Sequence, residues 1–193
     1  MTAFCMQDAP ATAPSTVLVR EAGAADRPAV RGLVTAAYAQ YADVLPPALF
    51  GRYLADLLDL DRHAAHGALL VADLGGRVVG SAAFYRDVAA QGMGWPAGWA
   101  GGRALAVHPA ARGAGAAQAL LAAFECRARV VGAPVFAFHT AAFMTGAIAL
   151  YQQLGYRRAP QYDLDLAAHY GVRTPAPVRS IAYLRCLAPS PFA

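Results

Sequence analysis

The sequence is short of several things that would fix its class at once. Only three cysteines occur, Cys5, Cys126 and Cys186, widely spaced and with no CxxC pair. That excludes a disulfide framework and a thiolate zinc site, and no metal is expected. It fits a reducing compartment, so a cytoplasmic location is expected. Charge is sparse too. Charged residues make up 15% of the chain and the formal net charge is +4. The basic residues are scattered, which argues against a nucleic-acid partner. No apolar run reaches the roughly 20 residues that cross a bilayer, so no membrane partner is expected. The opening MTAFCMQDAPATAPST lacks the basic start and continuous apolar stretch of a signal peptide.

What is present suits one globular domain. The chain has 193 residues, of which 58% are hydrophobic, enough for a full core. Residues 1–16 read as a tail, 17–187 as the domain, and 188–193 as a second tail. The mild positive charge also suits a small polyanionic ligand.

Apolar patterning sets the order of elements. Val17-Leu18-Val19-Arg20 reads as a first strand. Asp26 reads as a helix N-cap with Pro28 in the first turn, followed by Val30, Leu33, Val34, Ala37, Tyr38 and Tyr41 at helical spacing. After Pro46-Pro47, a second helix carries Leu49, Tyr53, Leu54, Leu57 and Leu58. Residues 68–73 and 77–85 flank Gly75-Gly76 and read as a hairpin. A glycine-rich irregular stretch over 86–98 follows, then a central strand, Arg103-Ala104-Leu105-Ala106-Val107, stopped by Pro109. A helix is expected over about 115–131 with Gly132 after it. A buried strand follows at 135–138, a helix at 144–154 ended by Gly155, and a last strand at 180–185. One more strand is expected around 156–164. The order β-α-α-β-β-β-α-β-α-β gives an α/β domain with a mixed sheet.

The segment between the central strand and the next helix, Arg112-Gly113-Ala114-Gly115-Ala116-Ala117, carries chemistry. The first amides of a helix lack intrahelical partners, and the helix dipole makes that end positive. A phosphate can accept several of those N–H groups together. Gly113 and Gly115 let it approach the backbone closely, the small alanines keep the way open, and Arg112 adds a guanidinium. Two other phosphate fingerprints fail. No Lys-Ser or Lys-Thr completes a P-loop, and position 118, where the dinucleotide motif needs glycine, is Gln118.

Val107-x-Pro109 followed by Arg112-Gly113-x-Gly115-x-Ala117 resembles motif A of the GCN5-related N-acetyltransferases (GNAT). Leu150-Tyr151 followed by Gly155-Tyr156 is similar to the late-helix pattern of the same family. The resemblance spans roughly residues 17–187. It implies a single-domain acyl-CoA N-acyltransferase (GNAT) fold, with a mixed, mostly antiparallel central sheet flanked by helices. It implies acetyl-CoA as acyl-donor co-substrate, with its pyrophosphate on Arg112, Gly113, Ala114, Gly115, Ala116 and Ala117. The backbone of Leu105, Ala106 and Val107 would face the pantetheine arm. An amide near a bulge there would polarise the thioester carbonyl, and Tyr151 would protonate the leaving thiolate. The acceptor would be an amine-bearing small molecule or peptide attacking directly in a ternary complex, and homodimers are common in the family. As a residue on an amphipathic helix, Tyr151 also fits a plain core role.

Two departures stand out. Many relatives carry a carboxylate on the central strand that helps deprotonate the amine, and the matching position here is Gly101 or Gly102. The asparagine that often starts the late helix is replaced by Met144. Asp87, His108 and His139 are the candidate proton acceptors, besides a water chain. These departures keep two other readings open: an acyl-CoA-binding module with little catalysis, and a transferase of a longer acyl group. His63 and His66 share a helix face without a carboxylate partner, which disfavours a metal site. Cys126 reads as packing. Tyr38, Tyr41, Tyr85, Trp95, Trp99 and Phe143 read as core, with part of the set lining an apolar or aromatic acceptor cleft.

Overall fold

The computed structural model describes residues 16–187. The two expected tails lie outside the described residues, Thr16 excepted. The chain runs β1 (Val17–Glu21), α1 (Arg27–Tyr38), α2 (Pro47–Leu57), α3 (Leu60–His66), β2 (Ala68–Leu74), β3 (Arg77–Tyr85), β4 (Ala100–Val107) and α4 (Ala116–Val130). It continues through β5 (Val135–Ala141), α5 (Thr145–Gln153), β6 (Arg157–Arg158), β7 (Leu164–Asp165), α6 (Leu166–His169) and β8 (Arg179–Cys186). The strands form one sheet in the order β1-β2-β3-β4-β5-β8-β6, with β7 also on β8. Every pairing is antiparallel except β4 with β5. The mixed, mostly antiparallel sheet is as expected.

Each face of the sheet takes its own helices, because residues alternate between faces. On one face α4 buries Ala116, Leu120, Leu121, Phe124 and Ala128 against Leu70, Phe84, Phe136 and Phe138, with Tyr151 of α5 in the same cluster. On the other, Val30, Leu33, Val34 and Ala37 of α1 meet Leu69, Val71, Ala83 and Tyr85. Both helices follow the apolar spacing of the sequence.

Several elements depart from the sequence reading, each for a local reason. The segment after Pro47 is two helices, not one. Asp59 breaks the run, and its side chain accepts from the amide of Arg62 to cap α3. His63 of α3 is fully buried, too polar a residue to mark a core stripe in advance. β4 begins three residues earlier than expected, because Gly101-Gly102 is extended strand here despite glycine's poor strand propensity. β5 continues through His139, Thr140 and Ala141. The expected strand near 156–164 is two two-residue strands, and α6 begins at an Asp165 cap. Asp26 precedes α1 as expected, yet its carboxylate does not cap the helix. It accepts instead from Arg20 at 2.6 and 2.8 Å and from the amide of Gly23 at 2.7 Å. Cys126 is exposed, so the packing role expected for it fails. Its neighbour Glu125 is the one that faces inward.

Glu125 is a charge inside the α4 interface. It accepts from the Tyr156 hydroxyl at 2.7 Å, from Arg185 at 2.6 Å and from Arg129 at 3.1 Å. Such a group is stable only while its partners satisfy it, and they in turn depend on it. Glu125→Ala should lower unfolding stability by about 2 kcal/mol, because the Tyr156 hydroxyl loses its charged acceptor. Urea unfolding followed by circular dichroism measures this.

Candidate active site

The site arises where β4 and β5 part. They pair only at Ala100↔Phe136 and Gly101↔Ala137, and no pair follows. β5 stays straight because its other edge is paired to β8 from Val135↔Cys186 through Ala141↔Ser180. β4 bends because it carries a bulge against β3. Ala83 faces Arg103 and Ser81 faces Ala106, so two residues, Ala104 and Leu105, stand opposite one. Ala104 takes φ +53°, the one non-glycine residue in the left-handed region among the described residues. That conformation costs an alanine about 1 kcal/mol. The Tyr38 hydroxyl, reaching from α1, donates to the Leu105 carbonyl at 3.2 Å and pins the bulge.

The opening is a cleft of about 580 Å³ that passes from one face of the sheet to the other. Leu105, Ala106, Val107, Arg112, Gly113, Gly115, Ala116, Ala117 and Tyr151 all line it. The sequence singled out each of them from separate segments. Ala114 is exposed on the turn and does not line the cleft. Gly113 and Gly115 both have φ +84°, a conformation that favours glycine, and Gly115 starts α4 with no side chain capping it. The first amides of α4 therefore stay available at the cleft mouth. The Arg112 guanidinium lies there too, 3.5 Å from the Gln40 side-chain oxygen. Met144 precedes α5 and lines the cleft, with the Thr140 hydroxyl 3.6 Å from its sulfur.

Tyr151 is buried, with its ring 4.5 Å from Phe138 and 5.9 Å from Tyr183, centroid to centroid. Its core role and its place on the cleft wall coexist. Burial pushes its phenol well above the ordinary tyrosine value, so it holds its proton throughout the neutral range.

On the face of α1 and α2, the cleft has aromatic walls. Tyr38, Tyr41, Tyr53, Trp95, Phe143 and Tyr170 line it. Tyr38 lies edge-on to Tyr53, with centroids 5.7 Å apart, and Tyr41 lies 5.1 Å from Phe143. Burial raises the Tyr38 phenol to about 12. Of the aromatic residues singled out in the sequence, Tyr85 turns away to His63, and Trp99 packs behind Trp95. No Asp or Glu lines the cleft among the described residues.

The cleft floor holds a cation that sequence reasoning missed. Arg103 donates to Asp56 of α2 at 2.7 Å and to Gln91 at 3.1 Å. Asp56 also bonds Arg62 and accepts from the Tyr170 hydroxyl at 2.8 Å. Arg103 and Asp56 lie 47 residues apart in the chain, and no local pattern joins them.

The glycines at the expected carboxylate position are filled from outside. A Cβ on Gly101 would come within 2.4 Å of Val88 and 2.7 Å of the Ala137 carbonyl oxygen. One on Gly102 would come within 2.6 Å of the Phe124 ring. Of the three candidate proton acceptors, two are spent on turns. Asp87 accepts from the Ala89 amide at 3.0 Å and His108 from the Ala110 amide at 3.3 Å, and neither lines the cleft. His139 does line it. His63 is no ligand. Its Nε2 donates to the Asp56 carbonyl at 3.1 Å, so its Nδ1 accepts from the Tyr85 hydroxyl.

Comparison with known proteins agrees with this geometry. Residues 34–156 match the model of the acetyltransferase (GNAT) family, which is more than half of the chain. The chain belongs to that family. Among solved structures it is similar to a Corynebacterium glutamicum protein described as histone acetyltransferase HPA2 and related acetyltransferase. Identity is 22%, with 90% of this chain and 97% of that one covered and a TM-score of 0.63. It is similar to yncA of Salmonella typhimurium, solved with its cofactor acetyl-CoA, at 20% identity, 90% and 95% coverage and a TM-score of 0.59. It is also similar to the ribosomal-protein-S18-alanine N-acetyltransferase of Escherichia coli, at 16% identity, 90% and 95% coverage and a TM-score of 0.60. At these identities the likeness is one of fold. No curated protein matches the sequence.

Two outcomes test this geometry. Gly101→Glu, which restores the family's carboxylate, should destabilise the protein by about 1–3 kcal/mol and raise no activity, because Val88 and a backbone carbonyl occupy the space. Thermal unfolding and a rate assay together check it. The second concerns acid. Burial holds both His63 and His139 down at about 4, against an ordinary 6.5. The unfolded chain takes up these protons first as pH falls below about 6.5, so stability should decline from there toward about 4 and level off below. Urea midpoints between pH 7 and 4 measure it. Midpoints that stay flat over that window would show that neither ring is held neutral.

Proposed function

We propose that the protein transfers the acetyl group of acetyl-CoA to a primary amine by direct attack, without an acyl-enzyme. The observation that carries this is the convergence on one cleft of the uncapped start of α4, the free edge of β4 and Tyr151. The amides of Gly113, Gly115, Ala116 and Ala117 and the Arg112 guanidinium would take the pyrophosphate. The β4 edge from Leu105 to Val107 would pair with the amides of the pantetheine arm, and a β4 amide beside the Ala104 bulge would receive the developing oxyanion. Tyr151 would donate to the departing sulfur. Its raised pKa makes a full transfer to a thiolate of ordinary pKa near ~8.5 steeper than the sequence alone suggests. Its contribution is therefore a strong hydrogen bond to the sulfur as the C–S bond breaks.

The aromatic walls and the lack of carboxylates favour an acceptor with an apolar or aromatic body over a polycation. A cytoplasmic location and a homodimer complete the proposal. The first rests on cysteine usage and the second on family habit alone.

The test is release of free CoA thiol across a panel of primary amines, beside acetyl-CoA binding by calorimetry. The chain contains no lysine, so no side-chain amine of its own competes for the acetyl group. Tight binding without amine-dependent release would favour an acyl-CoA-binding module, a reading that the filled Gly101 position keeps in view. Faster release from a longer acyl-CoA would make the protein a transferase of that group. Tyr151→Phe should lower kcat about 10- to 100-fold, the worth of one hydrogen bond to a charged partner, and leave the acetyl-CoA Kd within about twofold. Unchanged turnover in that variant would remove Tyr151 from the chemistry.

A further inference from the structure

Among the described residues, half-buried His139 holds the one buried side-chain nitrogen or oxygen that no protein group satisfies. Its Nε2 lies 2.7 Å from the Tyr162 carbonyl oxygen, an acceptor, so Nε2 carries the hydrogen. Nδ1 is then a bare lone pair. It is buried, and no protein group donates to it. An unpaired buried acceptor is costly, and in a native protein it calls for an explanation such as a catalytic role.

Its position says what the work is. Ala137 faces Gly101 in the last pair before the strands part. Two residues further along each strand, on the same face, are His139 and Arg103. Both line the cleft. The ring is held from behind by Trp95, 4.4 Å away between centroids, and Trp95 is backed by Tyr162 and Trp99. The imidazole is therefore fixed in tautomer, and an amine reaches its sealed Nδ1 once the acceptor displaces the side chains around it.

Resting on the acetyl-transfer reading above, we propose that Nδ1 of His139 takes the proton of the attacking amine. The amine nitrogen forms a bond to the thioester carbon, the carbonyl π electrons move to oxygen, and the N–H proton passes to Nδ1. The oxyanion then re-forms the carbonyl, the C–S bond breaks, and the sulfur leaves with the electron pair. The sulfur leaves as a thiolate that accepts a hydrogen bond from the Tyr151 hydroxyl and then takes its proton from solvent, and the imidazolium returns its proton to solvent. Proton count is conserved: the amine loses one and the thiol gains one. An amine nitrogen bonded to the former carbonyl carbon carries positive charge and is far more acidic than a free ammonium. A weakly basic imidazole is therefore sufficient, provided that it is neutral. Burial keeps it so, aided by Arg103 on β4 and His169 on α6, and opposed by Asp163 and by the Tyr162 carbonyl. This is a different solution from a strand carboxylate, for which Val88 leaves no space.

The test uses the whole protein with tyramine or 2-phenylethylamine as acceptor, whichever turns over faster. His139→Gln keeps a donor for the Tyr162 carbonyl and removes the basic nitrogen. It should lose about 100-fold or more in kcat with the acetyl-CoA Kd unchanged. His139→Ala should regain at least tenfold when free imidazole is added, because the vacated space beside Trp95 admits it. Nitrogen NMR of the unaltered protein should show Nδ1 unprotonated, and its resonance should move when the amine is added with CoA. A His139→Gln kcat within threefold of the unaltered protein would overturn the proposal. So would a loss in His139→Ala that imidazole leaves untouched, which would make His139 a packing residue. No amine-dependent thiol release from the unaltered protein would instead sink acetyl transfer itself, and this role with it.

Discussion

The site depends on two strands that pair for two residues and then separate. A sheet that stops pairing in its middle leaves backbone N–H and C=O groups without partners, and such groups are costly when buried. The protein holds the strands apart all the same. β8 keeps β5 straight along its whole length, while the bulge at Ala104 and Leu105 carries β4 away. Tyr38 then satisfies the Leu105 carbonyl from α1. The remaining free edge is what a ligand with amide groups of its own can complete, as a strand would. The cleft, the strained alanine and the tyrosine from α1 are three consequences of the same separation.

The charges follow from that opening. Once the strands part, Arg103 looks into a partly dry space and cannot stay there alone. Asp56 balances it, and Arg62 shares the same carboxylate, so two guanidiniums meet one acid. The Tyr170 hydroxyl and Gln91 take further bonds of the group. The network ties α2, α3, β4 and the segment after α6 to the cleft floor. It makes that floor rigid, and it leaves no carboxylate free to meet a substrate cation.

What could be read from the sequence was local. The glycine turn announces itself, because strand, proline, glycines and helix follow one another within a dozen residues. Tyr151 is legible for the same reason, four residues before Gly155. The helices were readable where their apolar stripes were clean, as in α1 and α4. The parting of β4 from β5 was not. Gly101-Gly102-Arg103-Ala104-Leu105-Ala106 has too many small residues to show a period, and strand separation leaves no signature in either strand. The Arg103–Asp56 pair and the Tyr38 contact join distant segments, so no spacing reveals them. His139 was nameable as a candidate among several. Its selection over Asp87 and His108 needed the turns that absorb those two.

The acceptor side now reads as a consistent set of constraints. A lysine-like ammonium, with a pKa near 10.4, is mostly charged at neutral pH. Entering this cleft it would approach Arg103, find no acidic side chain on the walls, and meet only the edge of a neutral imidazole. Asp56 offsets much of that charge but is shared with Arg62, so the cleft floor keeps a net positive charge and the charged form is disfavoured. The aromatic walls offer cation–π attraction of only about 0.5–2 kcal/mol in return. Under the acetyl-transfer proposal, such a cleft would select the amine in its neutral form, with its proton shed to water at the mouth. Amines whose pKa lies close to neutrality would gain most from such a site. The glycines on β4, the neutral ring on β5 and an arginine whose carboxylate partner is shared with Arg62 would all bias it toward the same kind of acceptor.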